Sequence, residues 1–187
     1  MAKYNVHAGH CPDGKGASGA VGLLKESTEA RKVKNLVIKK LKQKGHTVYD
    51  CTCDVKTTQS GCLVKIVDKC NKHKVSYDIS IHLNSGRNDR KGDGKTGGVE
   101  AWIYDTANAT TKKKAQSIVK AICKETGLSV HGTAVKGCKQ QGVSLYVLRK
   151  TKSKAILIEC AFVDDADDKK LWSPEKVANG IVKGLLQ

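Results

Sequence analysis

The chain reads as an α/β protein with a largely parallel sheet, and three observations lead there. Strand-like and helical periodicities alternate along most of its 187 residues, the pattern of helices packed on a mostly parallel sheet. The segment "KAILIECAF" (154–162) is a near-continuous apolar run, as expected for a strand covered on both faces. Aromatic residues make up only 4% of the chain against 39% hydrophobic residues, so the interior must be built from Val, Ile, Leu and Ala. A chain of this length supports one substantial core. With no repeat and no linker in view, residues 1–187 are read as a single domain.

Residues 3–9 form the first strand, followed by a Gly- and Pro-containing loop from Gly9 to Gly22. Val33, Leu36, Val37 and Leu41 recur at helical spacing within residues 26–44 and leave lysines on the outer face. Gly45 stands where a helix-terminating left-handed residue is expected. "HTVYDCT" (46–52) is the next strand, and Leu63, Ile66, Val67 and Cys70 mark a helix over 59–72. "SYDISIH" (76–82) is the third strand and "VEAWIYD" (99–105) the fourth, with a polar, Gly-rich loop between them. A helix follows over 109–125, then "SLYVLRK" (144–150), short and either extended or helical. After the buried strand 154–162, Ser173 caps a last helix with Pro174 in its first turn, running to Leu186.

Thirty-four Lys and Arg oppose 18 Asp and Glu, a net charge of +16. Such an excess bears on partners and encounter rates rather than on fold, and it points to a polyanion. Lysine greatly outnumbers arginine, and interleaved aromatics are lacking, which disfavours base reading and base stacking. No apolar run is long enough to span a bilayer. The segment "MAKYNVHAGHC" lacks the apolar stretch of a signal peptide, so the expectation is synthesis in the cytoplasm. The eight cysteines include no CxxC, which weakens a zinc-finger reading. They are expected to be mostly buried, reduced thiols, with Cys51 and Cys53 pointing to opposite faces.

Two glycine patterns invite a nucleotide reading, and both fail on context. Gly14-x-Gly16-x-x-Gly19 is separated from the first strand by Cys11, Pro12 and Asp13, and residues 36–44 hold no acidic residue. "GDGKTGG" (92–98) has Asp89 where a phosphate-binding loop needs its first glycine, and it precedes a strand rather than a helix.

The residues at strand ends are more informative, because ligands in such sheets sit beyond the carboxyl edge. His10 follows the first strand, His82 ends the third, and Glu26 opens the first long helix. Two imidazoles and one carboxylate suit a zinc ion with an open fourth position. Glu159 lies inside the apolar run "AILIECAF", where a carboxylate is costly to desolvate unless it is paired or functional. His7, His46, His73 and His131 are assigned to structure or surface.

The segments "HAGH", "SGAVGLLKES", "YDISIHLNSG", "GGVEAWIYD" and "LYVLRKTKSKAILIECAFVDDADD" occur in this order and span nearly the whole chain. Together they resemble the zinc-dependent N-acetylmuramoyl-L-alanine amidases of the amidase-3 type, especially clostridial phage endolysins and autolysins. The resemblance implies a mixed, mainly parallel, twisted sheet of about six strands flanked by helices on both faces. It implies Zn2+ held by His10, Glu26 and His82, with Glu29 a competitor for the glutamate position. It implies Glu159 as the catalytic base and then acid, and Asn84 and Arg149 as substrate-binding residues. The implied reaction is hydrolysis of the amide between the lactyl group of N-acetylmuramic acid and L-alanine in peptidoglycan.

On this reading the zinc ion lowers the pKa of a water to about 7 and polarises the carbonyl. Glu159 moves the proton from that water to the departing amine. The chain would act on the wall after release from the cell, in the manner of a phage endolysin, drawn to anionic wall polymers by its charge. One departure concerns Thr133-Ala134-Val135-Lys136, where the family often has Arg-Gly-Val-Lys, and the loop that follows, "GCKQQGVS", which is longer and borders the groove. The competing functions are another zinc peptidase or deacetylase, lacking H-E-x-x-H, and a basic nucleic-acid-binding module.

Overall fold

The computed structural model describes residues 1–187. Its six strands are β1 (Lys3–Ala8), β2 (Thr47–Asp50), β3 (Tyr77–Asn84), β4 (Val99–Ile103), β5 (Val130–Gly137) and β6 (Ala155–Phe162). They form one sheet in the order β2-β1-β3-β6-β4-β5. Every neighbouring pair is parallel except β4–β6, which is antiparallel. The sheet is therefore mixed and mainly parallel, as expected.

The helices are α1 (Glu26–Gln43), α2 (Gln59–Cys70), α3 (Ala109–Thr126), α4 (Cys138–Gln141), α5 (Tyr146–Lys150), α6 (Ala166–Leu171) and α7 (Pro174–Leu186). Their ends follow local chemistry. Thr58, Asn108 and Ser173 accept hydrogen bonds from backbone N–H groups of the first turns of α2, α3 and α7, satisfying donors that have no partner inside the helix. "SLYVLRK" resolves as the short helix α5.

Three elements were not anticipated: β5, α6 and the four-residue helix α4. The edge strand β5 contains Gly132 and half-exposed polar residues, so it shows little apolar alternation. The helix α6 is six residues long, too short for a periodic signal, and is set by Asp165 capping the N–H of Asp168. Thr133–Lys136 is part of β5, and the stretch "GCKQQGVS" expected as a loop carries the helix α4.

Strand alternation divides the interior into two unequal layers. Val6, Ala8, Ile79, Ile81, Ala101, Ile156 and Ile158 face a 31-residue core covered by α1, α3 and α7. The alternate positions face a thinner layer under α2 and α5, an 11-residue cluster that includes Leu157. Six members of that cluster are cysteines: Cys11, Cys51, Cys53, Cys62, Cys70 and Cys138. All eight thiols are free, and only Cys123 is incompletely buried. Cysteine acts here as a small apolar side chain, filling the space between Ile66, Val67, Val147, Leu148 and Leu157.

The period of two also puts the chemistry on this thin side. His7, Ser80, His82, Glu100, Trp102 and Glu159 are all out of phase with the large core. Here α2 and α5 leave part of the carboxyl edge uncovered. A groove of about 340 Å³ opens between them, reaching from His10 and His82 to Tyr146 and Glu159.

Candidate metal and catalytic site

His10, Glu26 and His82 come from three elements that meet at the carboxyl edge of the sheet. Their ligand atoms all lie within 4.8 Å of one another. Glu26 is the hub. Its Oε1 lies 3.2 Å from His10 Nε2 and 3.1 Å from His82 Nδ1, and also accepts the Leu83 N–H at 3.2 Å. Its Oε2 accepts the Ala20 N–H at 2.9 Å. Burial would raise the Glu26 pKa, but hydrogen bonds and charge from His10 and His82 outweigh it and hold the group well below the usual carboxylate range. The carboxyl is thus kept in its anionic, ligand-competent form.

The glycines around this site are explained by close approach. A Cβ at Gly9 would fall on the His82 ring. Gly19 has φ +79°, and a Cβ there would lie 2.5 Å from Glu26 Oε2. The glycine-patterned loop is therefore a wrap around the ligand cluster, not a phosphate cradle. His10 itself has φ 63°, a sparsely populated region for a residue with a side chain and a form of strain that collects at functional sites.

Behind His82 runs a relay on the same sheet face. With Nδ1 turned toward Glu26, His82 Nε2 lies 3.1 Å from Ser80 Oγ, which lies 3.5 Å from His7 Nδ1. Burial pushes the His7 pKa down to about 3, with the nearby His82 adding to the shift. A neutral His7 with its proton on Nε2 accepts a hydrogen bond from Ser80 Oγ, which leaves Ser80 to accept one from His82 Nε2. Such a chain fixes ring orientation and tautomer in a metal-ligating histidine.

Glu159 stands directly opposite His82 in the β3–β6 register and opposite Glu100 in the β4–β6 register. Its Oε2 is buried without a hydrogen-bond partner. Desolvation raises its pKa well above the usual value; Glu26 and Glu100 add to the rise and Lys136 opposes it. Glu100 is a second buried carboxylate. It accepts from Trp102 Nε1 at 3.0 Å and Asn84 Nδ2 at 3.2 Å, and it pairs with Lys136 of β5.

Glu100 and Lys136 were missed in the sequence. The desolvation argument applied to Glu159 applies equally to Glu100 in "GGVEAWI". Lys136 gave no signal, because its partner is set by the pairing of β4 with β5.

The remaining candidates separate clearly. Glu29 points away from the cluster, accepting from Trp172 Nε1 at 2.8 Å and from Lys32 at 2.7 Å. Asn84 lines the groove, and its Oδ1 accepts the Ser85 N–H. Arg149 does not join them. It is exposed on α5, lies over the Tyr146 ring, and borders a separate cavity with Tyr104, Asp105 and Lys152. It follows buried Val147 and Leu148 on a short helix, so its own direction is outward.

His46 and His73 serve packing: His46 meets Tyr4 edge-on, and His73 stacks on Tyr49 at 3.7 Å. His131 bonds the Gly97 carbonyl.

Comparison with known proteins agrees with this architecture. An uncharacterized protein of Clostridium perfringens is 33% identical over 159 residues, covering 83% of this chain and 43% of that protein. The chain spans less than half the length of the first two curated relatives it matches. Cwp6 from Clostridium difficile has a similar structure, with TM-score 0.78 and 26% identity over 100% of this chain and 28% of that one. The catalytic domain of an endolysin targeting Clostridia Difficile superposes with TM-score 0.76 and 24% identity, covering 100% of this chain and 97% of the other. The family model described as N-acetylmuramoyl-L-alanine amidase matches residues 5–187, and the chain belongs to that family.

Proposed function

We propose that this chain hydrolyses the amide joining the N-acetylmuramoyl lactyl group to L-alanine in bacterial peptidoglycan, using a zinc ion. The single observation that carries the proposal is the convergence of His10, Glu26 and His82 beside the unpartnered carboxyl of Glu159, inside a family of that activity. Two nitrogens and one oxygen on a partly exposed edge form a donor set that suits zinc and leaves one position open. When bound, zinc would supply a water acidified to a pKa of about 7 and a polarised carbonyl.

The chain's own residues do the rest. Glu26 offers a permanent anion, and the Ser80–His7 relay holds the His82 ring. Glu159, raised in pKa and sunk in the groove, takes a proton from the attacking water. It returns that proton to the alanine nitrogen, so that the amine leaves rather than the water. Glu100 and Lys136 set the local charge around Glu159, one raising its proton affinity and the other lowering it. Asn84 is proposed to offer its amide to the substrate at the groove wall.

The +16 charge is proposed to concentrate the chain on anionic wall polymers. Access to the wall would follow release from the cell. No helix is long and apolar enough to cross a membrane.

The test is digestion of purified wall. New alanine amino termini without new reducing ends are expected. New reducing ends, or new termini at other residues only, would reject the amidase reading in favour of a glycosidase or another peptidase.

A further inference from the structure

On the thin side of the sheet three thiols converge. Cys11 follows His10 in the loop after β1, Cys53 follows β2, and Cys62 lies one turn into α2. Their sulfurs lie within 4.8 Å of one another, and none of the three residues is more than 2% exposed. A cation with metal–sulfur bonds of about 2.3 Å holds its sulfurs ~3.8–4.0 Å apart in tetrahedral or trigonal geometry. The set therefore reaches ligand spacing by a contraction of less than about 1 Å. Packing alone asks only for small apolar side chains here; it does not ask that sulfurs from three separate segments meet at one point.

The three segments are also fastened together. Arg31 Nη2 donates to the carbonyls of His10 at 3.0 Å and Cys53 at 2.8 Å, while Nη1 donates to Ser27 Oγ at 2.6 Å and to the Cys11 carbonyl at 3.4 Å. One guanidinium thus ties the loop after β1 to the loop after β2. Cys11 Sγ lies 3.4 Å from the Thr57 carbonyl, next to the cap of α2. A cavity of about 20 Å³, room for one water, touches Cys62, Ala17, His10 and His82. Cys62 is the one thiol of the three that lines it, and the cavity shares His10, Gln59, Leu63, His82 and Val147 with the groove. Cys51 and Cys70 meet each other separately and offer only two sulfurs.

We propose that Cys11, Cys53 and Cys62 form a second cation site, a three-sulfur site for a thiophilic d10 ion of the Zn2+, Cu+ or Cd2+ kind. Its open position faces the cavity toward His10, and the displaced thiol protons pass to solvent. The site stands on the sulfur geometry and does not depend on the wall substrate.

Cadmium is the probe. The reduced chain, titrated with Cd2+, is expected to bind two ions. Cadmium NMR should give one resonance in the sulfur-rich region and one in the nitrogen/oxygen region, and a thiolate-to-cadmium absorption band should saturate at one equivalent. Cys62→Ser should abolish the band and the sulfur-type resonance while keeping the other. His10→Ala combined with His82→Ala should do the reverse, and Cys123→Ser on α3 should change neither. Circular dichroism checks that each variant is folded. The wild-type spectrum is decisive even if a variant fails to fold. A lone nitrogen/oxygen resonance in the unmutated chain overturns the proposal. So does a band that survives in folded Cys62→Ser, or a disulfide joining two of the three cysteines in the freshly isolated chain.

Discussion

Replacing Glu159 with glutamine should destroy activity and strengthen the fold at once. The carboxyl sits between Glu26 and Glu100, with one oxygen buried and unpartnered. An unsatisfied buried polar group costs about 1–3 kcal/mol, and here the ionised form is also repelled by two neighbours. Glutamine keeps the shape and removes the charge; its amide stays without a partner, so only the ionisation cost is relieved. A carboxyl raised by one pKa unit carries about 1.4 kcal/mol of that cost, and for a chain of this size each kcal/mol moves the melting temperature by roughly 2–4 °C, so Glu159→Gln should melt about 3 °C or more higher at neutral pH.

The sign with pH follows from the raised pKa. Between the ordinary glutamate value of about 4.3 and the raised folded value, the folded state binds more protons than the unfolded one, so wild-type stability falls as pH rises. The gap between Glu159→Gln and wild type should therefore close below about pH 4 and open above it. Calorimetry of EDTA-treated protein across pH measures this. Loss of the proton carrier should lower turnover about 10²–10⁴-fold, read from alanine amino termini released from wall. A variant that melts lower at neutral pH, or that keeps full turnover, would refute the assignment of a desolvated proton shuttle.

Four further outcomes are expected. His10→Ala and His82→Ala should each lose the zinc equivalent detected at the histidine cluster, whereas Glu29→Ala should keep it and lose only the Trp172 contact; metal analysis after dialysis separates them. Gly19→Ala should lower zinc affinity about 10–100-fold, because its Cβ would press on Glu26 Oε2 at a positive φ; competition with a chelator reads the change. Lys136→Met should destabilise the fold by about 2 kcal/mol, below the usual 3–5 for a broken buried pair because Lys136 is partly exposed. It should also move the acidic limb of the rate profile to higher pH, since Lys136 lowers the Glu159 pKa. Raising ionic strength from about 0.05 M to about 0.5 M should weaken wall binding in a pelleting assay, because screening shortens the reach of the +16 charge; unchanged binding would give that charge another purpose.

Much of this molecule could be read from local chemistry. The steps of four in Val33, Val37 and Leu41 placed α1, and those residues are fully buried. Ser173 with Pro174 marked the start of α7. A carboxylate in "AILIECAF" could be singled out because its desolvation cost is a property of the residue and its flanks. These are signals carried within about ten consecutive residues, where backbone geometry alone decides which side chains share a face. Contrary to expectation, Cys51 and Cys53 do not part to opposite faces: residues two apart in an extended segment share a face, and both thiols lie in the thin layer, Cys51 beside Cys70 and Cys53 beside Cys11 and Cys62.

Other facts depended on which elements became neighbours, and no local pattern encodes that. Glu26 and Glu29 are three residues apart on one helix; only the docking of α1 beside β1 and β3 turned one to the histidines and the other to Trp172. Glu100 meets Glu159 because β4 runs antiparallel to β6, which brings its first residues to the carboxyl edge of β6. Lys136 reaches Glu100 only through the pairing of β5 with β4. Arg149, adjacent in sequence to groove residues, was turned outward by the burial of Val147 and Leu148. Sequence by itself determined the elements and the kinds of groups they carry; the tertiary structure decided which groups meet, because strand order and helix rotation are settled by burial summed over the whole chain.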